Sequence, residues 1–235
     1  AADAAKKDVI VVSDNAEPIV SVNADPEMQQ SNLMIFYKSQ AMPKEMNNTM
    51  TYELMEILKS YVSNIMSERL SDISRKPNAP FIHAGFSPAS SFGICPTLET
   101  TIGQVMTQDG KLMEGYKALL TEMERMRRHG FTEGEFERAK NNILSGLENQ
   151  YKSRDDREHS DFADMCISNF REGTPIYDAE FEYQLDKQLV EMISCDMVNA
   201  AVKQLYQPMK NAVIVVNSPK KDGIAIPTEA ELVEA

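Results

Sequence analysis

Four segments rich in β-branched and aromatic residues fall into two pairs, and a long stretch with the period of a helix follows each pair. This pattern limits the fold more than any other feature of the chain. "EPIVSVN" (17–23) and "SNLMIFYKSQ" (31–40) are separated by the turn residues "ADPE" (24–27), and both read as strands. "FIHAGFSP" (81–88) and "TLETTIGQVMTQ" (97–108) read as the second pair, the latter with Thr and Val at β-favouring positions. Between the pairs, from Asn48 to Ile73, Leu54, Leu58, Tyr61, Ile65 and Leu70 recur at helical spacing, with Asn47 or Asn48 as the expected cap and "RKPNAP" (75–80) as the stop.

Helices dominate after the second pair. Leu112, Tyr116, Leu119, Met123 and Met126 line one face of a predicted helix from Asp109, which "RRHG" (127–130) ends with basic residues and a glycine. Thr132 and Glu135 form an S/T-x-x-E capping box for the next helix, with its stripe at Phe136, Ala139, Ile143, Leu147 and Tyr151. Two or three more helices are expected across 156–206, broken at 172–178 and 193–196, before a final buried strand, "NAVIVVNS" (211–218). Elements of one kind cluster rather than alternate. The expected class is therefore α+β, a sheet with helices packed on one face.

The length of 235 residues suits one large domain or two small ones, and 42% hydrophobic residues suffice for a sizeable core. A formal charge of −12 argues against nucleic acid or an anionic membrane as partner. No apolar run approaches the roughly 18 residues of a membrane span, and "AADAAKKDVIVVSD" does not read as a signal peptide. Cys95, Cys166 and Cys195 are too few and too far apart for a disulfide framework or a zinc knuckle, and they read as packed or half-buried thiols.

One motif invites a catalytic reading. Asp155, Glu158 and His159 spell D-x-x-E-H, one side chain away from the zinc motif H-x-x-E-H. On a helix, Asp155 and His159 share a face, and Glu158 would serve as the base. A catalytic zinc also needs a third protein ligand, and His83, His129 and His159 form no pair with metal spacing. The surrounding "KSRDDREHSD" alternates in charge, as a solvated helix face does. The stretch therefore reads as surface. An autonomous hydrolase built on these three residues is the minor rival, and His159→Ala would test it. "GFSPAS" (85–90) lacks the second glycine of a nucleophile elbow, so Ser87 reads as a strand-end residue. "ERMRRH" (124–129) is a basic knot without aromatic platforms for a nucleic-acid strand. The fifteen methionines fall mainly in helical stripes, where packing is the default.

The order of several motifs resembles one family. "GFTEGEFERAKNNILSGLENQ" carries E-x-E-x-E-R-A-K, "NFREGTPI" carries F-x-x-G-x-P-I, and "ISCDMVNA" carries I-x-x-x-x-V-N-A ahead of the last strand. With "EPIVSVNADPEMQQSNLMIFYK" and "DGIAIPTEAEL", the chain from 9 to 234 resembles a non-catalytic domain, the second, of the insulinase/pitrilysin-type zinc metallopeptidases. The resemblance implies a mixed, mostly antiparallel sheet of about six strands with several helices on one face, a metallopeptidase/LuxS-like domain. It implies a parent with zinc in its catalytic domain, two halves closing around an unfolded peptide, and H-x-x-E-H on the first long helix of the first domain. Here the corresponding helix, 47–70, has no histidine, so no catalytic, metal or cofactor residue is carried over.

The expected organisation is an N-terminal linker at 1–16, a single domain at 17–218, and a linker with a truncated helix at 219–235. Thr228 and Glu231 cap that last helix, which stops two turns in. So short a helix does not hold itself together in water, so either it frays or the natural chain runs on. The expected role is structural, with other domains of one polypeptide or a catalytic subunit as partners and a peptide substrate in the parent. The alternative is a stand-alone inactive scaffold subunit. Weak self-association of the isolated piece is expected as well, because separation would expose apolar surface.

Overall fold

A computed structural model describes residues 10–90, 95, 97–207 and 210–235. Its strands are β1 (Ile19–Asp25), β2 (Ser31–Gln40), β3 (His83–Ser90), β4 (Leu98–Thr107) and β5 (Ala212–Pro219). They form a sheet in the order β1-β5-β2-β4-β3, antiparallel except for the parallel pair β1 and β5. Among the described residues the sheet has five strands, not the six implied by the resemblance. The final strand does not close the sheet at an edge. It inserts between β1 and β2, the first pair read from the sequence, so these two strands never pair with each other.

The register follows from period-two burial. Ser31, Leu33, Ile35 and Tyr37 of β2 are buried, while Asn32, Met34, Phe36 and Lys38 between them are half-buried. Leu33 aligns with Val105 and Val216, and Ile35 with Gly103 and Ile214, so one face of the sheet is continuous and apolar. Gly103 lies where a helix approaches most closely. A Cβ there would stand 2.9 Å from the Met123 sulfur and 3.1 Å from Leu119.

The helices are α1 (Met50–Ser74), α2 (Leu112–His129), α3 (Glu133–Lys152), α4 (His159–Glu172), α5 (Ala179–Met192), α6 (Cys195–Leu205) and α7 (Glu229–Glu234). α1 and α2 pack on the sheet, and α3, α5 and α6 pack on α1. Tyr61 of α1 is fully buried at the centre. It stacks on Phe136 of α3 at 5.0 Å and donates its hydroxyl to the Val190 carbonyl of α5 at 3.0 Å. Met66, Met123 and Met126 are fully buried beside it, in keeping with packing as the role of the helical methionines.

Two local expectations are corrected. Thr49, not Asn47 or Asn48, caps α1, its hydroxyl accepting from the Tyr52 N–H. α7 does not fray, because Leu232 is 1% exposed and joins the core beside β1. Tertiary burial holds together a helix that propensity alone would not.

Candidate functional site

The D-x-x-E-H residues do not share a helix. α3 ends at Lys152, Arg154–Asp156 form a single 3-10 turn, and Arg157 is extended (φ −62°, ψ 136°). Glu158 is the N-cap of α4, where its backbone N–H donates to the Asp161 carboxylate at 2.9 Å. His159 opens α4 and is exposed, and Asp155 is exposed beside Arg154 at 3.7 Å. The i, i+4 geometry that would let Asp155 and His159 reach one ion therefore does not arise. This stretch is a charged surface, as expected, but a broken one rather than a helix face.

The three histidines sit on separate elements: His83 at the start of β3, His129 at the end of α2 and His159 at the start of α4. Among the described residues no group of three or more His, Cys, Asp or Glu side chains is placed to hold a metal ion. Cys95 and Cys195 are buried, but Cys166 is exposed, which corrects the expectation for that thiol. The basic knot at the end of α2 is internally compensated. Arg127 and Arg128 both donate to Glu124, and these hydrogen bonds hold its carboxyl down at about 2. Ser87 lies inside β3, next to the register irregularity between Ser87 and Ser90.

What occupies the outward side of the central helices is a groove between α1 and α3. Ser60, Ser63, Asn64 and Ser67 of α1 line one wall, and Gly146 and Gln150 of α3 contribute to the other. Asn142 donates to Asn64 across it at 3.3 Å. Nothing lies within 4 Å of where a Gly146 Cβ would be, so the groove is open there. Hydroxyls and amides can bind a peptide group by hydrogen bonds. They supply neither a metal ligand set nor a general base.

A cluster of carboxyls raised by burial lies elsewhere, between α1 and α5. Asp186 is pushed up to about 6 by burial and by the neighbouring charges of Glu182 and Glu53. Glu53 is raised as well, mainly by burial, although Tyr177 donates a hydrogen bond to it at 3.3 Å. Arg157 stands 3.5 Å from Glu182. The residues come from distant parts of the chain, so no local motif announces them.

The quoted motifs turn out to be architectural. Asn199, the Asn of V-N-A, clasps Phe131 by both backbone groups. Its Oδ1 accepts from the Phe131 N–H at 2.7 Å, and its Nδ2 donates to the Phe131 carbonyl at 3.1 Å. Glu135, the second Glu of E-x-E-x-E-R-A-K, closes the predicted capping box with Thr132 and receives Arg69 of α1. Gly173 of F-x-x-G-x-P-I ends α4 at φ +77°, a left-handed position suited to glycine.

A mixed sheet under two layers of helices, with a hydrogen-bonding groove and no histidine or cysteine along its first long helix, defines a layered α+β domain in which no metal-ligand cluster is found among the described residues. Residues 5–143 match the family model described as "Peptidase M16 inactive domain", and the chain belongs to that family. This is the insulinase-type, non-catalytic domain that the motifs resemble. The chain is 22% identical over 181 residues to the probable zinc protease PqqL of Escherichia coli K12, covering 77% of this chain and 19% of that protein. It is 24% identical over 242 residues to a zinc protease PQQL-like protein of Arabidopsis thaliana, covering 95% and 22%. The chain thus spans about a fifth of the length of these curated relatives.

Solved structures repeat the fold. The first half of the periplasmic protease PqqL from E. coli superposes with a TM-score of 0.81 at 17% identity, over 99% of this chain and 48% of that one. A peptidase M16 inactive domain from Pseudomonas fluorescens gives 0.59 at 13% identity, over 93% and 48%.

Proposed function

We propose that the chain is a structural, non-catalytic domain, the second, of a larger zinc-dependent metalloendopeptidase. In this reading it completes one half of a two-part shell and walls the chamber that receives an unfolded peptide. In this reading residues 17–218 are the domain proper, preceded by a linker at 1–16, of which 1–9 lie outside the described residues, and 219–235, docked on the domain through Leu232, lead toward a neighbouring domain. Zinc belongs to the catalytic domain of the parent, where it would activate water against a peptide carbonyl. The partners are the other domains of the same polypeptide. The observation that carries the reading is α1. It stands where the resemblance places the zinc helix, yet it presents Ser60, Ser63, Asn64 and Ser67 to the groove.

The test is cleavage of a quenched, unstructured peptide by this chain at saturating zinc, with and without a chelator. The expected result is no chelator-sensitive turnover. Turnover that the chelator abolishes would overturn the reading. In the longer polypeptide, removing this domain is expected to abolish peptidase activity while zinc binding persists.

A further inference from the structure

α4 is built inside out. Its apolar residues Phe162, Ala163, Cys166, Ile167 and Phe170 recur at helical spacing and form one stripe. An amphipathic helix of a globular domain normally turns such a stripe to the core. Here no residue of α4 is buried, Phe170 is 84% exposed, Phe162 and Ile167 are each 50% exposed, and Cys166 is exposed. The side that meets the body is the polar one, where Asp161, Asp164 and Ser168 face a cleft with Tyr177 and Glu182.

Polar contacts hold the helix in place. Lys44 donates to the Phe170 carbonyl at 3.3 Å, Asn47 to the Glu172 carbonyl at 2.9 Å, and Asn169 to the Thr174 carbonyl at 2.7 Å. A helix of 14 residues gains little stability by itself, so an outward apolar stripe is a cost that only a covering surface removes.

Three observations narrow what covers it. The stripe residues themselves are uncharged, with His159 ahead of the first turn of the stripe and Arg171 beside Ile167 at its edge, so the centre of the cover is apolar rather than an oppositely charged ligand. The polar side bears Asp161, Asp164 and Glu172 rather than a row of Lys and Arg, unlike a helix that lies on a lipid surface. Two exposed phenylalanines and an isoleucine offer on the order of 400 Å². Two copies packed through α4 would bury about 800 Å², short of the roughly 1,200 Å² of a stable dimer. The same patch suits a contact between domains of one chain, where such interfaces start at about 600 Å² and tethering supplies the concentration. The relatives extend far beyond the length matched here.

We infer that the outward stripe of α4 is the seat of a neighbouring folded domain of the same polypeptide, which covers it with an uncharged apolar surface. This inference rests on the functional reading above.

Cys166 makes the inference directly measurable, since it is the exposed thiol and Cys95 and Cys195 are buried. Ellman's reagent is applied to this chain alone and to the longer polypeptide. Cys166 is expected to react as a free thiol in the isolated chain and at least tenfold more slowly in the longer one. Phe170→Asp is expected to restore fast labelling in the longer polypeptide and to leave the Tm of the isolated chain unchanged. Equal labelling rates in the two contexts would overturn the inference. Protection that grows with the concentration of the isolated chain would overturn it too, in favour of a second copy. Failure of the functional reading shows separately, as chelator-sensitive turnover by the isolated chain.

Discussion

Arg69 and Glu135 form a two-pronged ion pair across 66 residues of sequence, with Arg69 Nε 2.5 Å from Oε1 and Nη2 2.9 Å from Oε2. Arg69 also donates to the Gly130 carbonyl at 3.0 Å and lies over the Phe131 ring at 4.9 Å. One side chain of α1 thus holds both the turn between α2 and α3 and the cap of α3. The Arg69 hydrogen bonds, aided by Thr132, hold the Glu135 carboxyl down at about 2, below its ordinary 4.5.

A carboxyl lowered on folding adds stability that is complete above the unfolded value and lost as pH falls toward the folded one. The Glu135 contribution should therefore be full above about pH 5 and disappear between about pH 4.5 and 2. Arg69→Ala leaves a largely buried carboxylate without its partner and should cost about 3 kcal/mol at pH 7. Urea melts of wild type and Arg69→Ala at pH 7 and pH 3 check both statements. The difference between the two proteins should shrink at pH 3.

Asn199 and Gly130 are coupled. Removing the Asn199 amide leaves the Phe131 N–H without its partner and the Phe131 carbonyl with only the weak Cys195 thiol donor at 3.5 Å, so Asn199→Ala should cost about 2 kcal/mol. A Cβ at Gly130 would stand 2.4 Å from Asn199 Oδ1, in a backbone at φ +67° that side chains rarely adopt. Gly130→Ala is therefore destabilising for two reasons, of which only the clash depends on Asn199. The double variant should lose less stability than the sum of the single ones, and a double-mutant cycle by denaturant melts measures the difference.

These contacts mark the limit of what the sequence reveals. The alternation in β2 and the capping boxes at Thr132 and Thr228 are local patterns, so strands and helix starts were legible. The clasp on Phe131 and the ion pair of Arg69 join residues more than 60 apart: the capping box marked Glu135 but not its Arg69 partner, and only the resemblance pointed to Asn199. The break between α3 and α4 falls in a run of charged residues with neither Gly nor Pro, so nothing local announced it. The sequence reading placed two or three helices across 156–206 without assigning their apolar faces, and the side that the α4 stripe faces depends on packing against the rest of the chain. The groove on α1 was legible only as the absence of histidine from that helix.

Asp186 should behave in the opposite sense to Glu135. Its carboxyl is raised from 3.8 to about 6, so between those pH values the unfolded chain gives up a proton that the folded chain keeps. Stability should fall as pH rises through that window, and the penalty should be complete above it. Asp186→Asn removes the charge facing Glu53 and Glu182 and should stabilise the fold by about 1 kcal/mol at pH 7, after allowance for solvent screening at a half-buried site. The gain should vanish near pH 4. Thermal melts at the two pH values decide it. An Asn variant no more stable at pH 7 than at pH 4, relative to wild type, would show that the cluster is relieved some other way.

Leu232 decides whether the C-terminal segment belongs to this domain's core. It is 1% exposed beside β1, while the other residues of α7 are exposed. The approach to α7 is held by the Lys221–Asp109 pair at 3.2 Å, an exposed contact worth little. A six-residue helix has too few internal hydrogen bonds to persist undocked, so docking and helix formation should fail together. Leu232→Ala removes the one large apolar anchor and should cost about 2–3 kcal/mol if the whole core feels the cavity. If α7 instead opens as a separate unit, the global transition should barely move. In that case amide exchange from Glu229 to Glu234 and trypsin cleavage after Lys220 and Lys221 should accelerate at least tenfold. The second outcome is expected, because Leu232 is the buried residue of α7 and docks beside the edge strand β1.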